Sequence, residues 1–164
     1  MVRRCCELPI WDITEADWID DRQNRRFAIY SYGAPTGSDD AVLDKETGLV
    51  WERSPSPDKR QWDGAIVYSY TQAIAGRKGW RLPTIEELLS LVDPTKTNPT
   101  LPGGHPFMNV KTDYFYWSST LGMTQPPTFA WGYNFGNGDT SNVVKSASAY
   151  TWLVRGWYGH DYPF

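Results

Sequence analysis

Gly79 to Asp93 has the sequence GWRLPTIEELLSLVD, and this stretch marks where a second helix begins. Thr84 and Glu87 have the T-x-x-E spacing of a capping box, in which each side chain accepts a bond from the other residue's backbone amide. Apolar residues then recur at helical spacing, at Ile85, Leu88, Leu89 and Val92. The stretch therefore predicts a short amphipathic helix that packs against a core.

Upstream of this stretch, the sequence predicts another helix, of about four turns. Gly76 is expected to end it, because glycine readily adopts the left-handed conformation that follows many helices. The residues expected to share its inner face are Trp62, Ala65, Ile66, Ser69, Tyr70, Ala73 and Ile74.

Strand patterns lie on both sides of the two helices. FAIYSYG from Phe27 predicts one strand, and AVLDKETGLVWER predicts two strands about a turn at Glu46–Gly48, followed by SPSPDKR as a loop. After a long loop rich in Pro and Gly, the segments YFYWSST, TFAWGYNF, NVVK and YTWLVRG predict further strands. This order predicts an α+β fold, with two helices packed on a small, mostly antiparallel sheet.

Composition limits the class of protein. The net charge of −3 lacks the basic excess of nucleic-acid binders. The only cysteines, Cys5 and Cys6, are adjacent and predict neither a disulfide framework nor a zinc site. Glu7 and Pro9 interrupt any signal peptide, and no apolar run reaches the roughly 18 residues of a membrane span. We therefore expect neither nucleic-acid binding nor membrane insertion, and localisation stays open.

The chain divides near residue 27. Residues 1–26 are charged but nearly neutral overall, and we expect an N-terminal arm that serves packing or oligomerisation, with disorder as the alternative. Residues 27–164 are expected to form one domain, since their length suits a single core.

Catalytic motifs are missing from the sequence. The two histidines, His105 and His160, belong to no H-E-x-x-H motif, and no G-x-S-x-G motif occurs. Each histidine is therefore interpreted as a loop residue, and no enzyme activity is predicted.

The stretch AWGYNFGNGDTSN, Ala130 to Asn142, concentrates Asn, Asp and Gly. An EF-hand that starts at Asn137 would need Gly at Asn142 and a bidentate Glu at Ser148, so that template fails. The phosphate-loop lysine is also missing. A hairpin turn explains the Gly and Asn residues, but it does not explain the aromatic side chains on one strand face, at Phe129, Trp131, Tyr133 and Phe135.

Several segments together resemble a known family. VLDKETGLVWER, GWRLPTIEELLSLVD, YWSST and LVRG, in this order, are similar to Lcl C-terminal-like domains, which are named for a bacterial collagen-like adhesin. The resemblance runs from about Val42 to Gly156. It implies a C-type-lectin-like fold of the formylglycine-generating-enzyme type and a recognition or adhesion role on a cell surface or phage. Tyr116 to His160 also resembles the variable region of diversity-generating-retroelement proteins, which forms their binding face.

Some motifs of these families are missing from this sequence, and their absence restricts the class of ligand that we expect. The domain lacks the redox cysteine pair that formylglycine chemistry requires. It also lacks the calcium-binding triplets of sugar-binding C-type lectins, so calcium is not indicated, no cofactor is expected, and a protein ligand is favoured over a glycan. Trp152 stands where relatives often have arginine, which places an aromatic side chain at the expected contact surface.

We therefore predict a non-catalytic recognition domain with an aromatic and polar binding face in its C-terminal third. The alternative is a structural or assembly module of a phage or surface appendage, in which this face is buried in an oligomer. A glycan-binding lectin and an enzyme are less favoured hypotheses. Trp51, Trp62, Trp80, Trp117 and Trp131 are expected in the core. The expected ligand-binding residues are Leu121, Gly132, Tyr133, Asn134, Gly136, Asn137, Asp139, Ser141, Tyr150, Trp152, Trp157, Tyr158 and His160.

Overall fold

A computed structural model of the chain describes residues 18–19, 26–30, 40–123 and 127–156. In these ranges the chain forms strands and two helices, which confirms the α+β class. The helices are α1 (Trp62–Thr71) and α2 (Ile85–Ser90). The strands are β1 (Trp18–Ile19), β2 (Phe27–Tyr30), β3 (Ala41–Asp44), β4 (Val50–Glu52), β5 (Ser56–Arg60), β6 (Tyr116–Leu121), β7 (Phe129–Tyr133), β8 (Thr140–Val144), β9 (Ala149–Thr151) and β10 (Val154–Arg155).

The strands form two five-stranded sheets. Sheet one has the order β1-β2-β3-β4-β10, and sheet two has the order β5-β9-β6-β7-β8. Every named pair is antiparallel except β6 with β9, which run parallel where Tyr116 lies opposite Tyr150. The mostly antiparallel arrangement is thus confirmed, but the strands divide between two sheets.

The predicted β3–β4 turn is present. Gly48 adopts a φ of 73°, and its amide donates to the carbonyl of Asp44 at 2.7 Å. The side chain of Asp44 is fully buried and accepts from Nη2 of Arg26 at 2.7 Å. β1 also pairs with β2, so these contacts join parts of the predicted arm to sheet one.

Helix α2 begins as its sequence predicts. The Thr84 hydroxyl accepts from the Glu87 amide at 3.2 Å, and the Glu87 carboxylate accepts from the Thr84 amide at 2.8 Å, which completes the capping box. Leu88 is fully buried, but Leu89 is 43% exposed, so the predicted apolar stripe is wrong at that position. The buried face of α2 carries Ile85, Glu87 and Leu88 instead, and Leu89 lies outside it.

Helix α1 is shorter than predicted. It ends at Thr71, and Gln72 is already extended. Hydrogen bonds to the carbonyl of Tyr68 from Thr71 Oγ1 at 2.8 Å and Gln72 Nε2 at 3.3 Å close its last turn, in competition with further helical bonds. Tyr70 lies within α1 but is 73% exposed, so its predicted place on the inner face is wrong; Ala65 and Ser69 are the buried residues of this helix. Ala73 is exposed too, while Ile74 turns back into the core.

Two further assignments are corrected. SPSPDKR, predicted as a loop, contains β5, which tolerates Pro57 because it lies at a sheet edge. YTWLVRG, predicted as one strand, is split: β9 belongs to sheet two and β10 to sheet one. The chain crosses between the sheets at Trp152 and Leu153, which are both fully buried.

Two clusters of buried side chains form the core, and each contains residues from both sheets. Helix α2 contributes Ile85 and Leu88 to one cluster, and helix α1 contributes Ala65 to the other. The predicted core role of five tryptophans is confirmed: Trp51, Trp80 and Trp117 are fully buried, and Trp62 and Trp131 are partly buried against the clusters. Neither helix in the described ranges has the length and apolarity needed to cross a membrane.

Candidate functional site

The stretch around Gly136 is a β-hairpin, as predicted. β7 and β8 pair from Phe129 opposite Val144 to Tyr133 opposite Thr140. In the turn, Asn134 accepts from the Gly138 amide at 2.9 Å, and Gly138 has a φ of 83°. β8 lies at the edge of sheet two, so the hairpin projects at one side of the molecule.

The large residues of this hairpin point into the core. Tyr133 is 2% exposed, and its hydroxyl lies 3.2 Å from Thr100 Oγ1. Phe135 is fully buried and packs edge-on against Tyr133, with ring centroids 4.7 Å apart. Tyr133 and Phe135 are therefore core residues, Trp131 packs against the same cluster, and Phe129 is half-buried. The assignment of Tyr133 to a ligand face is corrected.

Two other predicted site residues are also buried. A Cβ at Gly132 would lie 3.1 Å from the carbonyl oxygen of Tyr116, so glycine permits close strand packing there. Trp152 is fully buried, and its Nε1 donates to the carbonyl of Glu52 at 2.8 Å. We correct its assignment to a contact surface, because the crossing between the sheets encloses Trp152.

The turn presents the polar side chains that were predicted. Asn137 and Asp139 are exposed, and their side chains are hydrogen-bonded to each other. The amide of Asp139 also donates to Asn137 Oδ1 at 3.1 Å. Asn134, Gly136 and Ser141 are partly exposed beside them.

Apolar side chains lie exposed at the open end of the hairpin, away from the turn, where Phe129 pairs with Val144 and Leu121 lies opposite Ala130. Leu121 is 43% exposed, Met123 96% and Val144 41%. Asn142 lies beside these apolar side chains. It is exposed on β8 two residues before Val144, and its Oδ1 is so close to Gly122 that a Cβ there would lie 2.8 Å from it. We define the hairpin surface as the exposed side chains that run from this open end along β8 to the turn: Leu121, Met123, Asn137, Asp139, Asn142 and Val144.

Sequence reasoning missed three of these residues. Val144 and Asn142 follow from alternation along β8, in which Val143 is buried. Met123 carries no periodic signal, since it lies in a connection and its exposure depends on the surrounding fold.

Tyr150 lies away from the hairpin surface. It is 6% exposed, and its hydroxyl donates to Asp113 Oδ1 at 2.9 Å. Burial, together with this bond, raises the pKa of Tyr150, while the same bond lowers the pKa of Asp113. The Nζ of Lys59 lies 4.8 Å from the Tyr150 ring centroid. The predicted site residues therefore do not form a single face.

A separate cleft of about 500 Å³ lies beside the C-terminal end of α1. The buried side chain of Glu52 reaches it and accepts from the Leu153 amide at 3.2 Å. Burial, and then the charge of Glu52, raises the pKa of Tyr68. None of the predicted site residues lines this cleft. Its lining residues are Glu52, Ser54, Pro55, Ser56, Pro57, Tyr68, Gln72, Ile74, Asn109 and Lys111.

His105 is half-buried and stacks on Phe107, with ring centroids 5.9 Å apart. Burial lowers its pKa, which favours the neutral imidazole. Among the residues that the structure describes, no group of three or more His, Cys, Asp or Glu could hold a metal ion. Trp157, Tyr158 and His160, which were predicted to contact a ligand, lie outside the described residues, as do Cys5 and Cys6.

Comparison with known proteins identifies a family. The model of the Lcl C-terminal domain family matches residues 40–155, well over half of the chain. The matched range holds every element from β3 to β10 and the whole hairpin surface. No curated protein matches the chain.

Proposed function

Because the chain belongs to the Lcl C-terminal domain family, we propose that it is a non-catalytic recognition domain whose ligand contacts the hairpin surface. The observation that carries this proposal is the exposure of Leu121, Met123 and Val144 together at the open end of the hairpin. Grouped apolar side chains in water are typical of surfaces that bind a partner.

The turn end of the hairpin surface is held by backbone hydrogen bonds to the long loop. Beneath the turn, the amide of Thr100 donates to the carbonyl of Phe135 at 2.7 Å, and that of Asn98 donates to Gly136 at 3.2 Å. The buried rings of Tyr133 and Phe135 fix the base of the hairpin. A surface held in place before binding loses less conformational entropy when a ligand binds.

The chemistry of the surface favours a protein ligand. Protein interfaces combine apolar contacts at the centre with polar groups at the rim, and the hairpin surface offers both. The apolar part lies at the open end of the hairpin with Asn142 beside it, and the polar groups of Asn137 and Asp139 lie at the turn. An adhesion role fits this arrangement.

We further propose that residues of this region vary through a diversity-generating retroelement. The support is the sequence resemblance of Tyr116 to His160 and the exposed position of the hairpin turn. The neighbouring DNA tests this directly: a reverse-transcriptase gene and a near-copy of the codons for residues 115–160 that differs at adenines are expected. A genome without both would overturn this part of the proposal.

The recognition surface is tested with selected ligands. Random peptides displayed on phage are selected on the folded protein, and a glycan array is probed in parallel. The selected peptides should lose about tenfold or more in affinity when Leu121→Asp or Val144→Asp places a charge in the contact. Val67→Asp is the matched control, since Val67 is 63% exposed on α1.

Equal effects at Val67 and Leu121 would contradict the placement of the site, and binding to the glycan array alone would replace the protein ligand by a sugar. Light scattering separates the assembly alternative. A stable oligomer that Val144→Asp dissociates would show that the hairpin surface is an interface between copies of this chain.

A further inference from the structure

A second group of side chains surrounds a positive charge. The Nζ of Lys59 lies 4.6 Å from the ring centroid of Tyr114 and 4.8 Å from that of Tyr150. It also lies 3.4 Å from Asp113 Oδ2. We define the tyrosine cage as the rings of Tyr114 and Tyr150 and the carboxylate of Asp113. Two aromatic faces and a carboxylate are the groups that recognise organic cations.

The cage is fixed more firmly than the lysine inside it. Tyr150 belongs to β9, and its hydroxyl donates a hydrogen bond shared between the two carboxylate oxygens of Asp113, at 2.9 and 3.2 Å. Lys59 lies in the edge strand β5, where only Ser56 and Arg60 are paired with β9 and the register shifts between them. Lys59 can therefore leave the cage without breaking a strand pair. Exposed ion pairs such as Lys59 with Asp113 add little stability.

The spacing of the cage exceeds that of two single-ring cation–aromatic pairs in the chain, although Arg26 lies at a similar distance, 4.9 Å, from the Phe27 ring. The Nζ of Lys145 lies 3.9 Å from the Trp62 ring, and the guanidinium carbon of Arg60 lies 3.9 Å from the Tyr68 ring. The larger distances around Lys59 leave room for methyl groups between the nitrogen and both rings. A methylated ammonium would fill this room.

We propose that the tyrosine cage binds methylated ammonium groups and that Lys59 occupies it as an internal competitor. A primary ammonium is strongly hydrated, whereas a trimethylammonium sheds water more easily and gains more from the aromatic faces. A ligand of this class displaces Lys59 towards solvent, where its side chain is already 36% exposed. The inference is independent of the hairpin surface.

The test uses choline chloride as the probe, titrated at constant ionic strength and followed through the NMR signals of the tyrosine rings. Lys59→Ala empties the cage and should tighten choline binding about fivefold, the factor by which an internal competitor of this kind reduces affinity. Asp113→Asn should weaken binding in both backgrounds. Lys145→Ala, which removes a lysine from a single aromatic ring, should leave choline affinity unchanged.

A neutral molecule of the same shape, 3,3-dimethylbutan-1-ol, should not bind. Choline binding that Lys59→Ala leaves unchanged, or equal binding of the neutral molecule, would overturn the proposal. Tyr114→Leu on the Lys59→Ala background should remove the binding while circular dichroism shows the fold intact. Phosphocholine and a trimethyllysine amide, compared on Lys59→Ala, then distinguish a choline headgroup from a modified peptide as the source.

Discussion

Gly136 shows how one residue joins two distant segments. A Cβ there would overlap the carbonyl oxygen of Thr112 and lie 2.9 Å from its carbon. Only glycine lets the end of the long loop pass this close to the hairpin turn. The sequence predicted Gly136 as a turn residue. Glycine is required there, however, because the backbone of Thr112 lies against it, and Thr112 comes 24 residues earlier along the chain (136 minus 112).

We therefore expect Gly136→Ala to destabilise the protein by about 1–3 kcal/mol, because the clash is with backbone that cannot rotate away. Urea denaturation measures the loss. Gly103→Ala is the control, since a Cβ at Gly103 meets nothing within 4 Å and should leave stability almost unchanged. Equal stability of the two variants would show that the loop moves aside without cost.

At the scale of elements, α2 begins at an ion pair between the buried Glu87 and the mostly buried Arg81. Glu87 accepts from Nη1 and Nη2 of Arg81, each at 2.7 Å, and also caps the helix through the Thr84 amide. Arg81 further donates to the carbonyls of Leu82 and Gly156, which gives this arginine a structural role. The pair connects the start of α2 to the end of β10.

Removal of the Glu87 side chain should lower the free energy of unfolding far more than the loss of a typical helix cap does. Glu87→Ala strands the Arg81 charge in a mostly buried position, and we expect a loss of about 3–5 kcal/mol in the free energy of unfolding. Glu87→Gln should lose less, because one side-chain oxygen can still accept from the Thr84 amide. Glu86→Ala, an exposed change in the same turn, should stay within about 0.5 kcal/mol of the parent.

Denaturant curves for the three variants separate the two roles of Glu87. If Glu87→Gln proves as costly as Glu87→Ala, then the charge on Arg81 accounts for the whole effect. If Glu87→Ala costs only about 1 kcal/mol, the capping bond alone matters and the ion pair contributes nothing.

At the scale of the whole molecule, the crossing at Trp152 holds the two sheets together. Its ring packs against Trp51 at 5.8 Å, Phe107 at 5.0 Å and Phe135 at 5.2 Å, measured between centroids. These partners come from sheet one, the long loop and the end of the β7–β8 hairpin. Trp152 therefore packs against sheet one, the long loop and the hairpin at once.

Trp152→Ala should remove about 3–5 kcal/mol of stability, since it leaves a large cavity at this junction. The transition followed by tryptophan fluorescence and by circular dichroism should shift together, because both sheets lose the same support. Tyr70→Ala, at a residue 73% exposed on α1, serves as the control with little expected change. A loss confined to ligand binding, with unchanged stability, would contradict the core role of Trp152.

The sequence by itself determined the elements whose signals are local. The capping box of α2, the β3–β4 turn at Gly48 and the β7–β8 hairpin arise from bonds between residues a few positions apart, so their residue types suffice to predict them. The family resemblance rests on such segments as well, and the family match confirms it over residues 40–155.

Only the tertiary structure decided which aromatic residues face solvent. Tyr133, Trp152 and Tyr150 have the composition of a binding face, yet strands from two sheets cover them, and no local pattern encodes that covering. The split of YTWLVRG between two sheets has the same cause, since both halves are apolar and extended whichever sheet they join. Burial depends on what packs above a residue, and residues far along the chain supply it.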